Sequence, residues 1–146
     1  VLPPAPSDDP KQVTRLVLCS GKIYVDLLNS KLMESAATVA VARVEELYPF
    51  PEAEIRAVIE QFPKLEEIVW MQEEPANMGA WSFVFPRLLQ LSESPIYFAG
   101  RQESASPAEG AISLHVPEQQ RILQSAMQGK FTERKSAKKK QVAHAH

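Results

Sequence analysis

One cysteine, five glycines and three histidines are all that the 146 residues contain, and each scarcity closes a route. Cys19 alone can form neither an internal disulfide nor a structural zinc site, so a reducing compartment is compatible with the chain. It ends an apolar stretch and is read as a buried, inert thiol, with a reactive thiol as the alternative. The glycines never fall into Gly-x-Gly-x-x-Gly, and neither a complete phosphate loop nor a Ser-His-Asp set can be assembled. His115 is the only histidine ahead of the C-terminal tail. It is read as a loop histidine with a satisfied ring, a catalytic one being the alternative. No apolar run approaches the roughly 18 residues that cross a bilayer, and the opening Val-Leu-Pro-Pro-Ala-Pro lacks the basic-then-apolar order of a signal peptide. A soluble, cytoplasmic protein without membrane contacts is expected.

What is present fits one globular domain: 45% of residues are apolar and 23% charged, enough for a single sizeable core. The net charge of −2 conceals an asymmetry, because six Lys or Arg against one Glu from Gly129 onward leave residues 1–128 at −7. An acidic body disfavours nucleic acid as a partner, since phosphate contacts need a basic face. Residues 129–146 are basic and aperiodic and read as a disordered tail, with RNA or an acidic partner as its alternative use. His144 and His146 flank a single alanine, too little for a metal site. Residues 1–13, with four prolines and two adjacent aspartates, read as a linker that looks cut at Val1. The domain proper is expected over 14–128.

Within it, strands and helices alternate. Arg15-Leu16-Val17-Leu18-Cys19 reads as a strand and breaks at Ser20-Gly21-Lys22, a plain strand-to-helix turn or, alternatively, one that holds a phosphate or carboxylate. Ile23, Leu27, Leu28 and Leu32 make one helical face. Residues 39–44 read as a second strand, apolar on both sides until Arg43, as a central parallel strand should be. Pro51 suits the first position of a helix that Glu52 and Glu54 favour, with Ile55, Val58, Ile59 and Phe62 on its face. Beyond Gly79, Trp81, Val84, Phe85 and Leu88 repeat helical spacing, and Pro86 is expected to kink or restart that helix. Residues 96–99 form the fourth strand, residues 102–115 offer little core, and Pro117 with Glu118 opens a last helix through Ile122, Leu123 and Met127. This alternation implies an α/β fold, a mainly parallel sheet with helices on both faces.

The chain is organised around Trp70-Met-Gln-Glu-Glu-Pro-Ala-Asn-Met-Gly-Ala-Trp81. A short buried strand, residues 68–71, is expected to end in a loop at the carboxyl edge of the sheet, where ligands and partner surfaces meet such folds. Adjacent carboxylates, as in Glu45/Glu46 and Glu73/Glu74, point in different directions, so capping and ion pairing are preferred over general acid–base catalysis. No catalytic residue and no metal ligand is assigned. Arg43 and Arg101 lie at strand ends and are not explained by core packing. Each needs an acidic partner, either Glu45, Glu73 or Glu74 or the phosphate of a ligand.

Four motifs, in order, carry a resemblance: Leu18-Cys-Ser-Gly-Lys-Ile-Tyr24, Ala42-Arg-Val-Glu-Glu-Leu-Tyr-Pro-Phe-Pro51, Gln72-Glu-Glu-Pro-Ala-Asn-Met-Gly-Ala-Trp81, and Ala99-Gly-Arg101 through Ser104-Ala-Ser-Pro107. Over about residues 14–127 the chain resembles the C-terminal domain of the first, decarboxylating, thiamine-diphosphate-dependent component of 2-oxoglutarate dehydrogenase, and its Glu-Glu-Pro resembles bacterial members. It departs from the family pattern at Met78, usually Gln, and at Gln102, often Pro. The resemblance implies a transketolase-type C-terminal domain in an enzyme of the tricarboxylic acid cycle. In such enzymes thiamine diphosphate and magnesium sit on two preceding domains, and the magnesium-binding Gly-Asp-Gly is absent here. This chain would therefore hold no cofactor and be inactive alone. The resemblance further implies a dimer-supporting and regulatory role with an acetyl-CoA or AMP effector site. Arg43 and Arg101 are then phosphate partners, Gln72 an amide contact, and Glu73, Glu74, Asn77 and Trp81 an interface loop. Implied partners are the preceding domains, a second subunit and the dihydrolipoyl succinyltransferase component. A free-standing, non-catalytic binding or scaffold domain derived from that enzyme is the alternative, with the basic tail as its hint.

Overall fold

Apolar strands separated by amphipathic helices assemble into one parallel sheet with helices on both faces. The computed structural model describes residues 9–102 and 115–131. Its elements are β1 (Arg15–Cys19), α1 (Lys22–Leu28), β2 (Val39–Arg43), α2 (Glu52–Glu60), β3 (Glu67–Pro75), α3 (Trp81–Leu91), β4 (Ile96–Arg101) and α4 (His115–Gln128), with 3-10 turns at Pro10–Gln12 and Lys31–Ser35. The strand order is β2-β1-β3-β4, and every pairing is parallel. β1, with a neighbour on each side, is buried along its whole length, which is why it reads as an unbroken apolar run rather than an alternating one.

The two-residue period of the strands divides the core. Val17 and Cys19 of β1 pack with Ile23, Tyr24 and Leu27 of α1 and Ile122, Leu123, Ala126 and Met127 of α4. Leu16 and Leu18 face the other side, against Ile55 and Val58 of α2, Phe62, and Val84 and Leu88 of α3. The centre of the α2 face is Ile55, 1% exposed, while Ile59 is only half-buried.

Several boundaries differ from expectation for physical reasons. β3 runs on through residues 72–75, which were expected to be loop. β1 ends at Cys19 opposite Met71, so beyond that row β3 has only β4 beside it. The register shifts there, and Pro75 comes to lie opposite Arg101. With one edge open, a bulge and a proline are tolerated. β4 accordingly extends to Arg101, and β2 stops at Arg43, one residue early. α1 ends at Leu28, leaving that side chain 38% exposed, while Tyr24 takes the buried place and Leu32 moves to a separate 3-10 turn. α3 continues unbroken through Pro86. The carbonyl that Pro86 cannot serve belongs to Ser82, and both Ser82 and Pro86 are exposed, so water can satisfy it. Pro51 caps α2 instead of entering it. His115 begins α4 instead of lying in a loop.

At the amino edge, the packing reaches beyond both expected domain boundaries. Val13, in the expected linker, is fully buried. Arg15, read from sequence only as a strand residue, is 7% exposed. Its guanidinium bonds the Glu67 carboxylate opposite it on β3 at 2.8 Å and the Ala126 carbonyl at 2.9 Å, and it also donates to the Gly129 carbonyl. It lies 5.1 Å from the centre of the Phe131 ring, which stacks on Tyr97 at 4.9 Å. The last carbonyls of a helix lack partners within it and carry partial negative charge. Arg15 supplies both the donors and the charge, fastening the end of α4 to the sheet. Residues 1–8, 103–114 and 132–146, which include Ser104, Pro107 and most of the basic tail, lie outside the described residues.

Candidate functional site

All four strands point their carboxyl ends at one edge, and the residues singled out from sequence gather along it. Cys19, Arg43, Met71 and Ala99 form one cross-strand row. Arg43 leaves that row half-buried, its guanidinium carbon 5.7 Å from the centre of the Tyr24 ring. Its Nε is buried without a hydrogen-bond partner. Among the described residues, neither Arg43 nor Arg101 forms an ion pair, so the expected pairing with Glu45, Glu73 or Glu74 is not made there. Burial pushes the Cys19 thiol up to about 12, and the nearby Arg43 charge only partly offsets this. Cys19 is thus a protonated, inert core residue.

The two arginines are not neighbours. Arg43 ends one outer strand and Arg101 the other, three strand spacings apart, roughly 14 Å across the sheet. A ligand that engages both must reach across the whole sheet edge. Their common position at strand ends is readable from sequence, but the strand order that separates them is not.

Gln72 is 5% exposed, and its amide is spent inside the chain. Oε1 accepts from Trp70 Nε1 at 2.9 Å and from the Trp81 backbone N–H at 3.1 Å. Nε2 donates to the carbonyls of Pro75 and Met78, both at 2.8 Å, with the Glu74 carbonyl at 3.2 Å as a shared third acceptor. Direct contact with an effector would require breaking this set. The motif reading missed the role because an amide in a polar run carries no mark of what it binds. Glu73 and Asn77 are exposed or nearly so, Glu74 flanks them, and Met78 is 58% exposed. Trp81 is half-buried, stacked on Phe85 at 4.7 Å and tilted against Phe98 at 5.2 Å, so part of its surface serves the fold.

α4 closes over this edge with polar contacts that sequence reasoning did not find. Gln119 Nε2 bridges Asp26 at 3.1 Å and Glu73 at 3.3 Å. Lys22, in the turn weighed as an anion holder, lies 3.7 Å from Asp26. Arg121 binds Glu118 at 2.6 Å and reaches the Gly100 carbonyl at 3.5 Å. The hydrogen bond from Arg121 holds the Glu118 carboxyl below its usual range, against an opposing effect of burial. The three-residue spacing of Glu118 and Arg121 on a helix was the available signal. Gly100 has to be glycine because a Cβ there would lie 2.4 Å from the Phe98 ring and 2.7 Å from the Glu74 carbonyl. Among the described residues no helix is long and apolar enough to cross a membrane.

Comparison with known proteins agrees with this geometry. Residues 1–127 match the family described as 2-oxoglutarate dehydrogenase C-terminal. The 2-oxoglutarate dehydrogenase E1 component of Azotobacter vinelandii is 44% identical over 131 residues, covering 86% of this chain but 14% of that protein. That of Bacillus subtilis (strain 168) is 41% identical over 125 residues, covering 83% and 13%. A solved "Split gene transketolase, inactive beta4 tetramer" superposes with a TM-score of 0.55 at 16% identity, over 83% of this chain and 41% of that one. At that identity the likeness is one of fold, a transketolase C-terminal-like domain. With strand order, motif positions and the match over residues 1–127 in agreement, the chain belongs to the 2-oxoglutarate dehydrogenase C-terminal family.

Proposed function

We propose that this chain is the C-terminal domain of the first, decarboxylating component of a cytoplasmic 2-oxoglutarate dehydrogenase, where it supports the dimer and carries regulation without turnover of its own. The supporting observation is the alignment of 86% of the chain with only 14% of the Azotobacter vinelandii protein, within a family defined by its C-terminal position. On this reading thiamine diphosphate and magnesium belong to preceding domains. For magnesium, this reading is supported by the described residues, among which no three of His, Cys, Asp and Glu converge on a point that would hold a metal ion. The chemical steps then fall to those preceding domains, and the tasks of this one are assembly and sensing. The other expected contacts are the preceding domains, a second subunit and the dihydrolipoyl succinyltransferase component.

Regulation is assigned to the carboxyl edge. Arg43 has a buried, unpartnered Nε and Arg101 is exposed on the opposite outer strand, and guanidinium groups suit phosphate oxygens. Their separation favours an elongated effector with more than one anionic group, such as acetyl-CoA, over AMP, which carries a single phosphate. Gln72 acts through the loop it holds rather than by contact, and Glu73, Glu74 and Asn77 face the partner subunit. Arg101→Ala or Arg43→Ala in the longer polypeptide is expected to weaken acetyl-CoA binding by about 1.5–3 kcal/mol, as for a lost charged hydrogen bond, with little change in melting temperature. Titration calorimetry reads this directly. Unchanged affinity in both variants would remove the effector site from this edge.

A further inference from the structure

We infer that Gln72 is a positioning residue, its side-chain amide fixing the main chain of residues 73–81 in advance so that this surface meets a partner subunit without first having to order. The inference rests on the proposed role of this loop as an interface, and deepens it.

The orientation of the amide is not interchangeable. Oε1 faces two N–H groups, those of the Trp70 indole and the Trp81 backbone, and Nε2 faces three carbonyls. A flipped amide would set donors against donors and acceptors against acceptors. Two carbonyls from the end of β3, one from the loop and the first amide of α3 therefore converge on one buried side chain, which is itself anchored by the core tryptophan. Gly79 closes the arrangement with φ at +67°, a conformation that suits glycine. A Cβ there would lie 3.0 Å from Gln72 Nε2 and 3.1 Å from the Glu74 carboxyl carbon. The main chain between β3 and α3 is thus held from inside, while Glu73 and Met78 are open to solvent. A loop that is already ordered loses less conformational entropy on association. This explains a fully spent amide in the middle of an otherwise polar, solvent-facing run.

The test pairs two measurements. In this chain, Gln72→Met keeps the side-chain length and removes the hydrogen bonds, and hydrogen exchange of residues 73–81 is expected to accelerate about tenfold or more as local opening becomes easier. In the longer polypeptide the same change is expected to weaken subunit association by about tenfold through lost preorganisation, measured by sedimentation. Val17→Ala, on the opposite face of the sheet, lowers stability without touching the loop and is expected to leave association unchanged. Should Gln72→Met compromise folding, Gly79→Ala keeps the glutamine but crowds its Nε2 and strains the positive-φ turn, and the same pair of effects is expected. Unchanged exchange in residues 73–81 would overturn the inference whatever happens to association. Faster exchange with association equal to the Val17→Ala control would overturn the link between loop order and assembly. If Glu74→Ala and Asn77→Ala also left association unchanged, the interface reading would fall with it.

Discussion

Replacing Arg15 with methionine is expected to lower the unfolding free energy of the chain by about 3–5 kcal/mol, the range for removing one partner of a buried, hydrogen-bonded charge. Methionine preserves much of the side-chain volume, so the loss reports on polar chemistry rather than a cavity. Glu67 loses its cation, the Ala126 and Gly129 carbonyls at the end of α4 lose their donor, and Phe131 loses the guanidinium against its ring. Arg15→Lys retains a charge but cannot reach three acceptors in a planar fork, and should recover only part of the loss. Urea denaturation of the three proteins checks this. A change below about 1 kcal/mol for Arg15→Met, typical of an exposed ion pair, would show that the group is solvated.

The second large effect is expected at Trp70. It is 1% exposed, sits in the core beneath α2 and α3, and bonds Gln72 through its indole N–H. Trp70→Ala should cost about 3–5 kcal/mol through lost burial and the cavity left behind. Trp70→Phe separates the contributions in part, because it retains much of the apolar surface and removes the hydrogen bond, a net loss of about 1 kcal/mol, with a smaller cavity cost than Trp70→Ala. A shift in the denaturation midpoint that is equal for the two variants would show that packing of the ring contributes little.

The architecture can be read from the sequence because its signals are local. β1 and β2 are apolar on both faces, Ile55 and Val58 repeat at helical spacing, and the alternation of types forces a parallel sheet. Those properties lie within a few residues of each other. What could not be read depends on tertiary neighbours. The strand order β2-β1-β3-β4 puts Arg43 and Arg101 on opposite edges, and no spacing in the chain encodes that. Gln72 looked like a polar loop residue because the partners that hold it, Trp70, Glu74 and Pro75 of β3, Met78 of the loop and Trp81 of α3, meet only once the chain has turned back on itself. Arg15 is separated from Ala126 by 111 positions, so its capping of α4 left no local trace. The extension of β3 past Met71 depends on where β1 stops, and Pro75 was read as a loop signal when an open strand edge tolerates it equally well. The motif resemblance identified the family where local physics stopped, but it assigned Gln72 to a ligand that its buried amide has no free group to meet.

The most direct measurement is the sedimentation mass of the longer polypeptide with and without residues 14–131, taken together with its turnover of 2-oxoglutarate. If this domain supports the dimer, the intact protein should sediment as a dimer and the truncated one should dissociate at the same concentration, with turnover lost. The separately purified chain should show no turnover with thiamine diphosphate and magnesium supplied. A truncated protein that stays dimeric and fully active, or turnover by this chain alone, would contradict the account.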